Sequence, residues 1–172
     1  MLELFRKEFK KLGIKDICDL AIKTIGGNDY IVYSTTTVTE AMAGAALVDY
    51  EFMGYKVIYL GINANPALVD EILAHEAMHH IRGDRTPKEI ISLKQLATAY
   101  YEEEQAINIQ VAPTMYRDTE RLWETNKLAF IINGIMGVYQ NNQELIDELI
   151  SESNHSEFLV GFINGMRNQL TA

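Results

Sequence analysis

The residues of this chain whose types and spacing could do chemistry are His75-Glu76-Ala77-Met78-His79. On a helix, positions four apart share a face, so the imidazoles of His75 and His79 can reach a single Zn²⁺. Glu76 is turned from that pair by about 100° of helical rotation, which suits it to act on a water beside the metal rather than to ligate. Its role would be general base. Three of the four histidines, His75, His79 and His80, fall within this short stretch.

The helix that must carry these residues is legible around them. Asn65 can cap it, Pro66 fits its first position, and Asp70 and Glu71 favour the positive N-terminal end. Leu68, Ile72, His75 and His79 follow at helical spacing, so the histidines continue an apolar face and the site is expected to be semi-buried. Gly83 and Asp84 signal the stop.

Upstream, Leu2 to about Ile25 reads as helical, with Leu2, Phe5, Phe9 and Leu12 on one face and a second short turn after Gly13. Gly26-Gly27-Asn28-Asp29 is a turn signal, and Tyr30 to Tyr33 is aromatic and β-branched enough to be a strand. Thr35 to Gly44 is a polar, small-residue connection. Ala45 to Phe52 and Tyr55 to Ile62 are alternating runs joined through Met53-Gly54, a β-hairpin pattern. A small antiparallel sheet is therefore expected. Its last strand leads into the metal helix, so Val57 to Gly61 either offers an edge to an extended substrate or is covered by the protein itself.

Downstream, Thr86-Pro87-Lys88-Glu89 opens a further helix that runs to Val111. Glu102-Glu103-Glu104 interrupts its apolar pattern. Three consecutive residues turn through most of a helical circumference, so at least one carboxylate must lie along the apolar stripe and needs a charged partner such as Zn²⁺. Glu102 shares its row with Gln95, Thr98 and Ile109 and is expected to face water. Glu103 lies with Leu96, Ala99 and Ala106, and Glu104 with Ala97, Tyr100, Ile107 and Val111. Helical phase leaves these two level. Beyond Pro113 the chain reads as helical, with Leu122, Trp123, Leu128 and Phe130 to Ile135 as core, a loop at Tyr139 to Asn142, a short amphipathic segment over Leu145 to Ile150, and a closing helix from Leu159. His155 falls in a polar break and is expected at the surface.

The chain's overall numbers bound the function. Its 172 residues suggest one domain with a real core, here a catalytic core over 1–113 and a helical extension over 114–172. A net charge of −9 with no basic stripe argues against direct binding to nucleic acid. Cys18 is the single cysteine; it cannot form an internal disulfide and lies in an apolar pattern, as a small hydrophobe would. A reducing, cytoplasmic setting is expected. The charged N-terminus does not read as a signal peptide, and the longest uncharged run, Leu128 to Gln143, is too short and too polar for a bilayer.

The order of these parts resembles the ImmA/IrrE family of zinc metallopeptidases. The resemblance rests on a strand ending Leu60-Gly61-Ile62-Asn63, the His-Glu-x-x-His helix, and a downstream Glu-x-x-Ala, here Glu103-Glu104-Gln105-Ala106, followed by Pro113. It covers roughly residues 30 to 113 in layout and is fainter over Lys127 to Val138. Met78 stands where a glycine is usual, and Ile109 and Val111 replace the phenylalanine and paired leucines that commonly follow the glutamate. The resemblance implies an α+β fold, Glu103 as the third zinc ligand, and a cytoplasmic protease, often carried on mobile elements, that cleaves a partner transcriptional repressor. Metallopeptidases with a third histidine are excluded, because position 82 is Arg82 and no histidine follows until His155.

The mechanism expected is metal-assisted peptide hydrolysis. Zn²⁺ on His75, His79 and Glu103 would polarise the scissile carbonyl and activate water, and Glu76 would take the water's proton and return it to the leaving amine. Tyr100, Tyr101, Tyr116 and His80 are candidates for stabilising the oxyanion. A second reading is a metallopeptidase-fold binding module that captures a regulatory partner without turnover; retention of Glu76 favours the enzyme.

Overall fold

The computed structural model describes residues 1–36, 43–83 and 93–125, with side chains from 98 onward in the last stretch. The chain divides into two compact units, Met1–Arg85 and Thr86–Ala172. The fold class is α+β, as expected.

In the first unit the elements run α1 (Leu2–Lys11), β1 (Ile17–Ile25), β2 (Asn28–Thr35), β3 (Gly44–Phe52), β4 (Tyr55–Leu60), a 3₁₀ turn (Pro66–Leu68) and α2 (Val69–Arg82). The strands form one sheet in the order β1-β2-β4-β3. Two of its connections are tight hairpins. Gly26 and Gly27 have φ of 58° and 85°, and Met53 and Gly54 have 51° and 84°. Positive φ at both central residues matches the twist of the flanking strands, which is why glycine is placed there.

Two expectations are corrected. The helical reading of Leu2 to Ile25 holds only for α1; Gly13 at φ 87° and Asp16 at φ 59° turn the chain, and residues 17–25 pair antiparallel with β2. The sheet is mixed rather than wholly antiparallel, because β4 inserts between β2 and β3 and pairs parallel with β2, Tyr30 opposite Lys56 through Tyr33 opposite Tyr59. The β3–β4 hairpin is as expected.

Burial follows the pleat. Ile31, Tyr33, Val57 and Tyr59 lie on one face with Phe5 and Phe9 of α1, whose rings stack at 4.0 Å between centroids. Tyr30, Val32 and Ile58 lie on the other face with Leu73 and Ala77 of α2. An interior strand covered on both faces is a continuous apolar run, which is what Tyr30 to Tyr33 is. Leu12, expected on the apolar face, ends α1 and is exposed. Cys18 is also exposed rather than buried, beside the register shift between Ile17 and Asp19 in the edge strand β1.

In the second unit α3 (Leu93–Val111) ends where the sequence indicated, and α4 (Pro113–Thr125) follows at once. The two helices run back along one another. Tyr101 stacks on Trp123 at 4.6 Å, and Gln105 meets Thr119 and the Tyr116 carbonyl. Asn108, fully buried, donates through Nδ2 to Gln105 Oε1 and to Thr119 Oγ1. Leu122 and Trp123 are half-buried. Expectations for Thr86 to Glu89, for the segments beyond Thr125 and for His155 lie outside the described residues, as does most of the Thr35 to Gly44 connection. Among the described residues no helix is long and apolar enough to cross a membrane.

Burial first, then the neighbouring Tyr59 and Tyr50, hold the Tyr33 phenol well above its ordinary range. Because the folded value is raised, the contribution is complete below the unfolded value of about 10 and is lost as pH rises through and beyond it. The melting temperature should therefore fall above about pH 10, and Tyr33→Phe should lessen that fall. Circular dichroism melts across the alkaline range check this; parallel declines in the two proteins would contradict it.

Candidate metal centre

The local sequence places the metal helix as read. The Asn65 side chain accepts from the Ala67 N–H at 3.0 Å, Pro66 opens the turn, and Asp70 and Glu71 occupy the first turn of α2. At the other end Gly83 is left-handed at φ 68°, and its N–H closes on the His79 carbonyl at 3.0 Å.

On this helix His75 and Glu76 are buried, at 2% and 8% exposure, and His79 is half-buried. The expected semi-buried setting is found. The two imidazole Nε2 atoms are 3.2 Å apart, with the ring planes at 74°. Two nitrogens of one tetrahedral zinc, each about 2.0–2.1 Å from it, would be about 3.3 Å apart. The pair is thus set at the spacing a shared ion requires. A direct N–H···N contact would need one ring to donate and the other to accept.

One ligand atom each from His75, His79 and Glu104 lies within 4.8 Å of the others, a group that could hold a metal ion. Glu103, the residue expected from the resemblance, is not in the group. The reason is the phase of α3. Thr98, Ala99, Glu102, Ile109 and Gln110 are exposed, whereas Gln105, Ile107 and Asn108 are buried. At about 100° per residue, Glu104 falls opposite the middle of the exposed stripe, between Ile107 and Asn108, and Glu103 falls to its side. The small-residue row behind Glu103 was misleading because its Ala99 faces solvent, and Glu102 is exposed as expected.

His80 spends its Nε2 on the Val57 carbonyl at 2.8 Å, and Tyr101 stacks on Trp123. Tyr100 and Tyr116 are half-buried, on α3 and α4 respectively.

Two features of the sheet bear on the site. The strand leading into α2, β4, is interior, so of the two readings of Val57 to Gly61 the covered one holds, with β3 lying along it; among the described residues β3 is an edge strand. At its start stands Gly44. A Cβ there would lie 2.9 Å from Ile72 Cγ2, 3.1 Å from the Tyr59 carbonyl and 3.3 Å from Glu76 Cγ. The glycine lets α2 approach the strand and brings Glu76 against it. The signal in the sequence was a glycine opening a strand pattern, which marks close backbone approach.

No family model, curated protein or solved structure matches the chain.

Gly44→Ala should therefore destabilise by roughly 1–3 kcal/mol, since neither Ile72 nor the Tyr59 backbone can recede freely. Chemical denaturation measures it. A variant as stable as the parent would mean that the helix is not seated this closely.

Proposed function

We propose that the protein is a zinc-dependent endopeptidase of the ImmA/IrrE type, with His75, His79 and Glu104 as ligands and Glu76 as general base. The observation that carries this reading is the convergence of the two buried-side imidazoles at ligand spacing with Glu76 on the same helix. Bound there, Zn²⁺ would supply a Lewis acid for the scissile carbonyl. Glu76 would hold and orient the attacking water, accept its proton at a carboxylate oxygen, and pass that proton to the leaving amine. Its low exposure keeps competing solvent from the base.

The substrate's path follows from backbone parity. The Gly61 N–H donates to the Ala43 carbonyl at 2.8 Å, so Ala43 and Ala45 turn their backbone groups towards β4, and Gly44 and Ala46 turn theirs outward. An extended peptide adding to this edge would pair with Gly44 and Ala46, next to Glu76. A protein substrate, such as the repressor that the family resemblance implies, would need a segment able to extend here.

Two measurements test this reading. Glu76→Gln should keep its zinc and lose hydrolysis by about 10²–10⁴-fold. Zinc bound by the parent protein without turnover of any peptide library would instead support the capture of a partner without cleavage. For the third ligand, Glu104→Ala should empty the site while Glu103→Ala keeps its metal, with circular dichroism confirming that both are folded. The reverse result would restore Glu103.

A further inference from the structure

We propose that His80 is a positioning residue, pinning the last turn of α2 to a carbonyl that a bulge in β3 leaves open, and thereby fixing where His75 and His79 point. This rests on the metal site proposed above.

The β3–β4 ladder is interrupted. Ala46 pairs with Ile58 and Glu51 pairs with Lys56, so Leu47, Val48, Asp49 and Tyr50 stand opposite Val57 alone. Bulges of this kind break the ladder locally and are found beside functional sites. The parity set by Gly61 and Ala43 means that Gly61, Tyr59 and Val57 all present their N–H and C=O groups towards β3. At Val57 the bulge takes the facing residues out of register. The Val57 carbonyl accepts from His80 Nε2 at 2.8 Å, in a setting where Val57 is fully buried and His80 is 6% exposed.

The contact joins the end of α2 to the interior strand β4. His80 follows His79 directly, so a hydrogen bond from its ring restrains the rotation of the turn that carries the second metal nitrogen. Its ring also lies 5.8 Å from that of Tyr30, on the face where Leu73 and Ala77 pack. Apolar packing alone would allow α2 to slide or roll by fractions of an ångström, whereas a buried directional bond would not. The Nε2 proton required for this bond takes that nitrogen out of metal binding, and His80 is not in the group that could hold an ion. That explains how three histidines within one helix can divide into two that ligate and one that does not.

The test compares His80→Phe, which keeps the bulk and loses the donor, with His80→Gln, whose amide can donate from nearly the same place. Zinc affinity, measured by chelator competition on folded protein, should fall about 10–100-fold in the first and return to within a few-fold of the parent in the second. Loss of stability in His80→Phe with unchanged affinity would overturn the proposal. If His80→Phe does not fold, the ¹⁵N imidazole spectrum of the parent decides: the His80 ring should hold its proton on Nε2 and show no metal-bound shift at Nδ1 on zinc addition, and a metal-bound shift at either nitrogen would make His80 a ligand instead. A parent protein that binds no zinc at all would remove the metal site itself, a result distinct from either of these.

Discussion

Two imidazole nitrogens 3.2 Å apart on a half-buried helix face form the constraint on which the site depends. Both rings cannot direct an N–H at the other, so at least one lone pair points into the shared space. A proton or a metal ion must mediate. The rest of the first unit can be understood as holding the helix that imposes this spacing: Asn65 and Gly83 fix its ends, Leu73 and Ala77 seat it on the sheet, and Gly44 lets it lie close.

The sheet shows why such a helix needs an interior strand beneath it. β4 is paired on both sides and its Val57 and Ile58 are fully buried, so it gives the helix a rigid platform. The strand towards which Glu76 faces is instead β3, which is bulged and, among the described residues, has a strand neighbour on one side only. Rigidity under His75 and His79 and an edge strand beside Glu76 are separate demands. The order β1-β2-β4-β3 meets both by placing β4 between β2 and β3 and leaving β3 at the edge.

The parts of this arrangement legible in the sequence were those with local causes. Asn65-Pro66 and Gly83 bound the metal helix, Met53-Gly54 makes a hairpin, and α3 ends at Val111 because Pro113 cannot extend it. What was missed has causes distant in sequence. Ile17, Leu20, Ala21 and Ile25 fit a helical period as well as a strand, and only pairing with β2 decides between them. Gly26-Gly27 held the clue, since a two-glycine turn before one strand asks for another strand behind it. The insertion of β4 between β2 and β3 has no local signature, so the sequence left open whether Val57 to Gly61 is an edge or is covered. The carboxylate near the histidines differs by one residue from expectation for a similar reason: rows of small residues suggested close approach, but exposure of Ala99 shows which side of α3 is wet.

The most direct measurement is the metal content of the full chain, purified without added zinc or chelator and analysed by mass spectrometry alongside a His75→Ala, His79→Ala double variant. The account predicts close to one zinc per parent chain and almost none in the variant. Less than about 0.2 zinc per chain in the parent, against the tight binding such sites show, or equal zinc in both proteins, would contradict it.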